Sequence, residues 1–273
     1  MTADIILLDG ATKPELLTAE VAGGSLVAYT APAPDKTTDN EDSVAAIPYG
    51  PGAVVLVVAD GAGGLPAGRR ASQTAVSSLG ASLNSSINET VLLRTAILNG
   101  IDAANEAVLA LGNGSATTMT VVTVEGHIAR SYQIGDSEAM IVGQRGRIRL
   151  QTMAHSPTGF AVEAGFLDQR AALLHEERHL VSNFMGTTDM RIDVGAETKL
   201  QAKDTILLAS DGLTDNVHSH EITELIRKGP LDSAVESMIS LARRRMSVET
   251  MHQPSKPDDL SVMLFRKPFQ RLQ

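Results

Sequence analysis

The sequence predicts an α+β fold in which helices pack against antiparallel β-sheets as a layered sandwich. One observation is the order of predicted elements: strands, two helices, strands, two helices and a last strand. A parallel doubly wound sheet would instead need strands and helices that alternate. The other is size, since 273 residues are enough for one large domain or two small ones. Because aromatic residues make up only 3% of the chain, the core must consist mainly of Ala, Val, Leu, Ile and Met.

The first half of the chain is predicted to form three strands and two helices. The run AVVLVVA stops abruptly at Asp60 and Gly61, and a continuous β-branched run is typical of a buried strand. The second helical segment has apolar residues at i, i+3 and i+4 and ends in Gly112, which suits a helix C-terminus. The predicted strands cover 25–30, 43–47 and 53–59, a turn-rich loop covers 31–42, and the predicted helices cover 67–84 and 90–112.

The second half begins with a change to a period of two, the alternation that is typical of strands. Four strands between 116 and 152, joined by tight turns, are predicted to form an antiparallel meander. The insert at 153–186 is more polar and is predicted to hold short helices. The remaining predicted elements are strands within 191–210, helices at 219–229 and 231–247, and a last strand at 259–266.

Composition excludes several classes of protein. The chain has no Cys, which excludes disulfides, thiolate metal sites and cysteine nucleophiles. A formal net charge of −9 argues against a nucleic-acid-binding domain, and it fits a carboxylate-rich cation site as well as it fits plain solubility. The first residues lack the basic segment of a signal peptide, and no stretch approaches the roughly 18 apolar residues of a membrane span. We therefore predict a cytoplasmic protein with neither a membrane nor a nucleic-acid partner.

Four aspartates stand in matching positions at the ends of predicted strands. Asp60, Asp136 and Asp211 each adjoin a Gly where an apolar strand stops, and Asp258 comes just before the last strand. Strand ends lie at the rim of a sheet, where several side chains can converge, and hard divalent cations prefer oxygen ligands. A single Asp-Gly pair is usually only a turn, so the prediction of a cation site depends on the whole set.

Six motifs occur in the order found in one known family. They resemble the signature of bacterial protein phosphatase 2C enzymes, which hydrolyse phosphoserine and phosphothreonine with Mg²⁺ or Mn²⁺. The insert at 153–186 is similar to that family's flap segment. The resemblance spans about 36–266 and implies a single domain over 1–273, with two layered antiparallel β-sheets flanked by α-helices. The motifs are NED (40–42), DGAGG (60–64), ATT (116–118), GDS (135–137), SDGLTD (210–215) and DDLSV (258–262).

The resemblance also implies a dinuclear metal centre and a role for its carboxylates. Asp60 would bridge both ions, and Asp211 and Asp258 would complete the first site, so these three would be the catalytic aspartates. A water that bridges two cations loses a proton near neutral pH and would attack phosphorus in line. No covalent intermediate is needed, in agreement with the absence of Cys.

Further residues would hold the other ions. The second site would use Glu41 or Asp42 together with the carbonyl of Gly61, partly through water. Asp136 and Asp215 would match a third, weaker metal position of the family.

The sequence departs from the family pattern near the substrate phosphate. Thr37 stands where family members usually carry an Arg that grips the phosphate. Lys36 beside it would replace that Arg as a point charge, and the alternative is a solvated loop charge. Glu138 replaces the Arg of the family's GDSR motif. Ala62 stands where eukaryotic members place a general-acid His, which leaves a water to protonate the leaving group.

Two sets of cationic residues are predicted to be structural. His155 and His175 in the insert are interpreted as structural or surface residues rather than metal ligands. The run Arg243-Arg244-Arg245 lies on a late helix whose other face is apolar, and it is interpreted as a solvated helix face rather than an anion site.

Three functions remain open at this point. The first is an active phosphoprotein phosphatase, a monomer whose natural partner, by family analogy alone, is a Ser/Thr kinase. The second is a pseudo-phosphatase that binds a phosphorylated partner, to which Thr37 and Glu138 give weight. The intact aspartates favour the first, because converging carboxylates repel each other without metal. The third, a two-metal nuclease, is disfavoured by the acidic charge, the scarce aromatics and the lack of a basic run near the motifs.

Overall fold

Two antiparallel β-sheets lie face to face, and each carries helices on its outer side, which confirms the predicted class. The computed structural model describes residues 5–8, 12–62, 67–112, 114–251 and 253–268, so Gly63 and Gly64 of the DGAGG motif lie outside the described residues. In chain order the strands are β1 Ile6–Leu8, β2 Glu15–Val21, β3 Gly24–Ala31, β4 Asp42–Tyr49, β5 Ala53–Asp60, β6 Met119–Glu125, β7 Ile128–Ile134, β8 Glu138–Val142, β9 Ile148–Gln151, β10 Asp193–Val194, β11 Thr198–Lys199, β12 Thr205–Ala209 and β13 Leu260–Arg266.

Helices cover the outer face of each sheet and also form the insert. The buried residues of the second helix recur three and four positions apart, which is why its sequence shows that period. The α-helices are α1 Gly68–Asn88, α2 Leu93–Leu109, α3 Pro157–Glu163, α4 Gln169–Ala172, α5 Asp211–Thr214, α6 Ser219–Ile226 and α7 Leu231–Ser247, and a 3₁₀ helix covers Glu176–His179.

The first sheet has the order β1-β4-β5-β6-β7-β10, and β11 also pairs with β7. The second has the order β2-β3-β13-β12-β8-β9, so the last strand of the described chain lies between β3, from the start of the sequence, and β12, the strand that precedes it. Between the sheets is a core that includes Leu26, Leu56 and Phe265. Because β5 is covered on one face by this core and on the other by α1 and α2, all but the last of its residues are buried, as its continuous apolar run predicts.

The prediction of one four-stranded meander between 116 and 152 is wrong at its midpoint. β6 pairs with β7 in the first sheet, but β8 pairs with β12 and β9 in the second. The chain passes from one sheet to the other through Gly135, whose φ of 95° lies in a region that favours glycine. Alternation of apolar residues indicates that a segment is a strand, but it does not identify the strand's partner.

In the described part of the chain, no helix is long and apolar enough to cross a membrane.

Candidate metal centre

The NED and DGAGG motifs lie side by side at the end of the first sheet. β4 begins at Asp42 and β5 ends at Asp60, and these two residues are direct partners in the antiparallel ladder. Partners of this kind project to the same face, with Cβ atoms about 4.5–5.5 Å apart. The register therefore places two carboxyl groups beside each other, although each belongs to a different motif.

The second sheet brings its own acidic segments to the same rim. Ser210, which follows β12, donates a hydrogen bond from Oγ to Asp42 Oδ2 at 2.8 Å. The next residue, Asp211, begins α5 rather than ending the strand. The segment before β13 carries Asp258, and it packs so closely that a Cβ on Gly212 would lie 1.9 Å from the Asp259 carbonyl oxygen. Glycine after Asp211 thus allows the two motifs of this sheet to meet.

Gly61 has a similar packing role in the first sheet. A Cβ at this position would lie 2.2 Å from the Gly68 carbonyl oxygen and 2.9 Å from that of Glu41. Its N–H donates to the Glu41 carbonyl at 3.2 Å. The start of α1 and the NED segment therefore close tightly on the strand end only because position 61 lacks a side chain.

A lysine outside all six sequence motifs lies among the aspartates. The Lys256 ammonium donates to Asp211 Oδ2, and it lies 2.9 Å from Asp215 Oδ2 and 3.1 Å from Asp258 Oδ2. Burial lowers the pKa of Lys256, but the three carboxylates raise it further than burial lowers it, so the side chain stays charged. The only sequence signal was an isolated cation two residues before the DDLSV motif.

Burial and mutual repulsion raise the pKa values of five aspartates of the cluster, namely Asp42, Asp60, Asp136, Asp215 and Asp258. Removal from water is the largest cause for each of them. The pKa of Asp60 lies well above its usual range, because burial is reinforced by the charges of Asp42, Asp211, Asp258 and Asp136. Burial and repulsion raise the pKa values of Asp42 to about 8, of Asp258 to about 7 and of Asp215 to about 6, and that of Asp136 also rises well above normal.

Divalent cations fit this arrangement in chemistry and in charge. Asp42 Oδ1 and Asp211 Oδ1 are buried and have no hydrogen-bond partner among the described residues. The carboxylates offer only oxygen donors, which suit Mg²⁺ and Mn²⁺ rather than Zn²⁺. Among the described residues, no group of three or more His, Asp or Glu side chains is already arranged to hold a metal ion. The ammonium of Lys256 lies between three of the aspartates, where their oxygens would have to converge on an ion.

The structure thus brings most, but not all, of the predicted metal-site residues together. Asp42, rather than Glu41, faces Asp60, and it settles at the centre of the cluster. Glu41 turns its carboxylate to Lys36, 3.0 Å away, and is one-quarter exposed. Asp136, just after β7, is buried and close enough to Asp211 and Asp215 for their charges to raise its pKa.

Lys36 is held by carboxylates of the protein. Its ammonium donates to Glu41 Oε2 at 3.0 Å and to Asp259 Oδ2 at 2.6 Å. Asp259 is buried and also accepts hydrogen bonds from the backbone N–H groups of Ala33 and Glu41. The alternative of a solvated loop charge is therefore wrong, while a contact between Lys36 and a substrate phosphate stays a prediction. Thr37 is exposed on the same loop.

A cavity of about 720 Å³ opens beside the carboxylates, between the insert and α5–α6. Asp136, Asp211 and Asp215 line its inner end. Glu138 also lines it, and burial raises the pKa of this carboxyl group to about 7. The insert supplies its opposite wall.

The structure confirms one prediction about cationic residues and overturns another. His155 is buried and structural: its Nδ1 accepts from Gly135 N–H and from Asn183 Nδ2, and its Nε2 lies 3.1 Å from Asp193 Oδ2. The interpretation of Arg243-Arg244-Arg245 as a solvated face is wrong for Arg245. That residue is 5% exposed and pairs with both carboxylate oxygens of Glu221 at 2.8 Å.

Comparisons with known proteins concern the family and the fold of the chain. The sequence model of a family described as Protein phosphatase 2C matches residues 35–253. Protein phosphatase PhpP of Streptococcus pneumoniae is 29% identical over 216 residues, which are 76% of this chain and 87% of that protein.

Solved structures show the same fold. A serine/threonine phosphatase of S. agalactiae is 26% identical with a TM-score of 0.71, over 93% of this chain and 99% of that one. The catalytic domain of serine threonine protein phosphatase PstP, in complex with two manganese ions, has a TM-score of 0.65 over 96% of this chain and 99% of that one. At 22% identity this second likeness concerns the fold alone.

Proposed function

The chain belongs to the protein phosphatase 2C family, and we propose that it hydrolyses phosphoserine and phosphothreonine in proteins with divalent cations held by its clustered aspartates. The observation that carries the proposal is the convergence of carboxyl groups from both sheets at one rim. Asp42 and Asp60 come from the first sheet, and Asp211 and Asp258 from the second. The raised pKa values of Asp42, Asp60 and Asp258 indicate that this cluster has too little positive charge nearby.

Each residue would hold a cation according to its place in the fold. Asp60 would bridge two ions, with Asp211 and Asp258 on the first and Asp42 and the Gly61 carbonyl on the second. Glu41 would contribute to the second ion only after turning away from Lys36, and Asp136 and Asp215 would serve a third position. When bound, Mg²⁺ or Mn²⁺ would lower the pKa of a water and offset charge on the phosphoryl oxygens.

The aspartates must release protons before they hold a cation. Their oxygens bind a cation only as carboxylates, and their raised pKa values mean that several carry a proton near neutral pH without one. Cation binding would therefore release protons from Asp42 and Asp258. The absence of Cys excludes a cysteinyl-phosphate intermediate and agrees with water as the nucleophile of the proposed reaction.

The cavity beside the centre would admit the substrate. Its inner end exposes Asp136, Asp211 and Asp215, and the insert forms the opposite wall. A volume of about 720 Å³ admits a phosphorylated side chain with part of its peptide. We infer that a kinase acting on Ser and Thr makes the substrate, since phosphoryl transfer to these hydroxyl groups forms the phosphoester.

A phosphoprotein-binding module is the second candidate, and the position of Lys256 favours it. An ammonium already neutralises part of the cluster, as it would in a protein that has no use for a metal. The buried oxygens of Asp42 and Asp211 that have no hydrogen-bond partner among the described residues weigh against this candidate.

Hydrolysis of p-nitrophenyl phosphate and of a phosphothreonine peptide separates the two. We expect no activity in EDTA and activity that returns with Mn²⁺ or Mg²⁺. An Asp60→Asn protein, prepared identically, reports any contaminating phosphatase. Full activity in chelator would exclude the metal mechanism. Binding of the phosphopeptide without hydrolysis in either metal would identify the binding module.

A further inference from the structure

The backbone of Lys256 is held in a fixed position. Asn216, which is fully buried just after the SDGLTD motif, accepts a hydrogen bond from Lys256 N–H at 2.8 Å through Oδ1. Its Nδ2 donates to the Lys256 carbonyl, also at 2.8 Å, and to the Gly212 carbonyl at 2.9 Å. One side chain thus fixes both polar groups of the lysine backbone against the segment that carries Asp211 and Asp215.

The neighbouring residue is anchored as well. Ser255 donates from Oγ to the Arg245 carbonyl at 2.7 Å, and its own carbonyl accepts from Arg178 Nη2 at 2.8 Å. The lysine is therefore held at the rim of the carboxylate cluster by contacts on both sides. This anchoring of the backbone sets the position of the Lys256 ammonium, unlike that of a surface lysine, whose side chain can contact many different groups.

The ammonium takes up oxygens that a cation would need. Lys256 contacts one oxygen each of Asp211, Asp215 and Asp258, and all three residues belong to the proposed metal centre. An ion held by Asp211 and Asp258 would need the same two carboxylates that Lys256 contacts. Metal binding and these two lysine contacts therefore compete. Like charge adds to this competition, because a divalent cation and an ammonium at hydrogen-bond distance from the same group repel each other.

From this geometry we propose that Lys256 is a built-in competitor for divalent cations, which lowers the affinity of the centre for Mn²⁺ and Mg²⁺ and is displaced when an ion binds. The inference rests on the proposed metal centre and adds a residue that opposes its loading. Displacement needs no change of the backbone, because the lysine stem is flexible and the side chain is already 20% exposed. Asn216 would hold the same backbone position in both states.

Mn²⁺ binding tests the proposal without an activity assay. The dissociation constant is measured by titration calorimetry and from the electron paramagnetic resonance signal of free Mn²⁺. We expect Lys256→Gln to lower the Mn²⁺ dissociation constant by about tenfold, as for the loss of one like charge from a partly buried site. Lys256→Met keeps the apolar stem and should behave as Lys256→Gln does. Lys256→Arg keeps the charge and should bind Mn²⁺ no more tightly than the wild type. Lys228→Gln removes an exposed lysine elsewhere and should change nothing.

The outcomes distinguish this inference from the proposed function. If the wild type binds Mn²⁺ and neither Lys256→Gln nor Lys256→Met lowers the dissociation constant, the proposed role of Lys256 is wrong. The proposed metal centre would not be contradicted by that result. Tighter binding by Lys256→Arg also overturns the role of Lys256, because the effect would not follow charge. Absence of Mn²⁺ binding in the wild type and in all variants would instead contradict the metal centre itself. Thermal unfolding in EDTA gives a second measurement: the uncharged variants should melt lower than the wild type, yet gain more from added Mn²⁺.

Discussion

Asp42 Oδ2 accepts a hydrogen bond from Ser210 Oγ at 2.8 Å, and this contact joins the start of β4 in the first sheet to the end of β12 in the second. The other carboxylate oxygen of Asp42 is buried without a hydrogen-bond partner in the described chain. Ser210 therefore helps to fix the orientation of the Asp42 carboxyl group. The position of a proposed ligand thus depends on both sheets, and the site can form only when they pack together.

Loss of a central aspartate should abolish activity. Asp60→Asn and Asp211→Asn remove the charge of the bridging residue and of the residue that anchors the first ion. We expect kcat to fall by far more than tenfold, which corresponds to about 1.4 kcal/mol in activation free energy. Steady-state kinetics in Mn²⁺ checks this, with Asp102→Asn on the exposed face of α2 as the control. Either variant with more than a tenth of wild-type kcat would mean that these residues are not the catalytic ones.

Without metal, the protein should become less stable as the pH rises from about 4 to about 8. The pKa values of Asp42, Asp258 and Asp215 are about 8, 7 and 6 in the folded protein, against an ordinary 3.8. The folded state therefore binds more protons than the unfolded state in this range, and each proton lost costs stability. We expect the melting temperature in EDTA to fall by at least about 2 °C between pH 5 and pH 8.

Asp42→Asn provides the matched comparison for that pH dependence. It keeps an oxygen for the Ser210 hydroxyl but cannot ionise, so its melting temperature in EDTA should depend less steeply on pH. A melting temperature that rises between pH 5 and pH 8 in the wild type would contradict the raised pKa values.

Thr37→Arg should improve the binding of small phosphoesters. It would hold two phosphate oxygens equally in the ground state and the transition state, so KM should fall with little change in kcat. The gain should be about 1–2 kcal/mol, as for charge-assisted hydrogen bonds. Kinetics with p-nitrophenyl phosphate at one Mn²⁺ concentration measures it. An unchanged KM would indicate that the exposed loop at 31–42 does not reach the substrate.

Replacement of Lys36 should cost stability whatever its role in catalysis. Its ammonium neutralises Asp259, whose side chain is 4% exposed, so Lys36→Ala leaves a buried carboxylate without its cation. We expect a loss of about 1–3 kcal/mol in denaturant unfolding, much of it recovered in Lys36→Ala with Asp259→Asn. If Lys36 also binds substrate, KM rises in both variants. An unchanged KM in the double variant would limit Lys36 to the ion pair.

Gly212→Ala should destabilise the protein strongly for its size. The added methyl group would lie 1.9 Å from the Asp259 carbonyl oxygen, so the segment with Asp258 must move. Overpacking of this kind costs about 1–3 kcal/mol or more, and displacement of Asp258 should also lower activity. Gly52→Ala, where nothing lies within 4 Å, is the control in chemical denaturation. Equal stability of the two variants would mean that the close approach at Gly212 is not rigid.

Sequence patterns predicted those parts of the molecule that depend on neighbours along the chain. The apolar run before Asp60 identifies a buried strand that ends in a carboxylate, because burial on both faces leaves no polar position. The period of α2 does the same for a helix. Lys256 could not be found in this way, because its contacts exist only once β13 and α5 lie side by side. The burial of Arg245 likewise depends on Glu221, a residue of another helix.

The place of β13 has a consequence for the order in which the molecule assembles. It joins β3 to β12 in the middle of the second sheet, yet it is the last strand of the described chain to be synthesised. The two halves of that sheet cannot be joined while this strand is still missing, and pairing across such long separations is slow. Asp258 arrives with the same segment. The carboxylate cluster can thus be completed only after this segment has been synthesised, and a nascent chain that lacks β13 cannot yet hold cations in the proposed way.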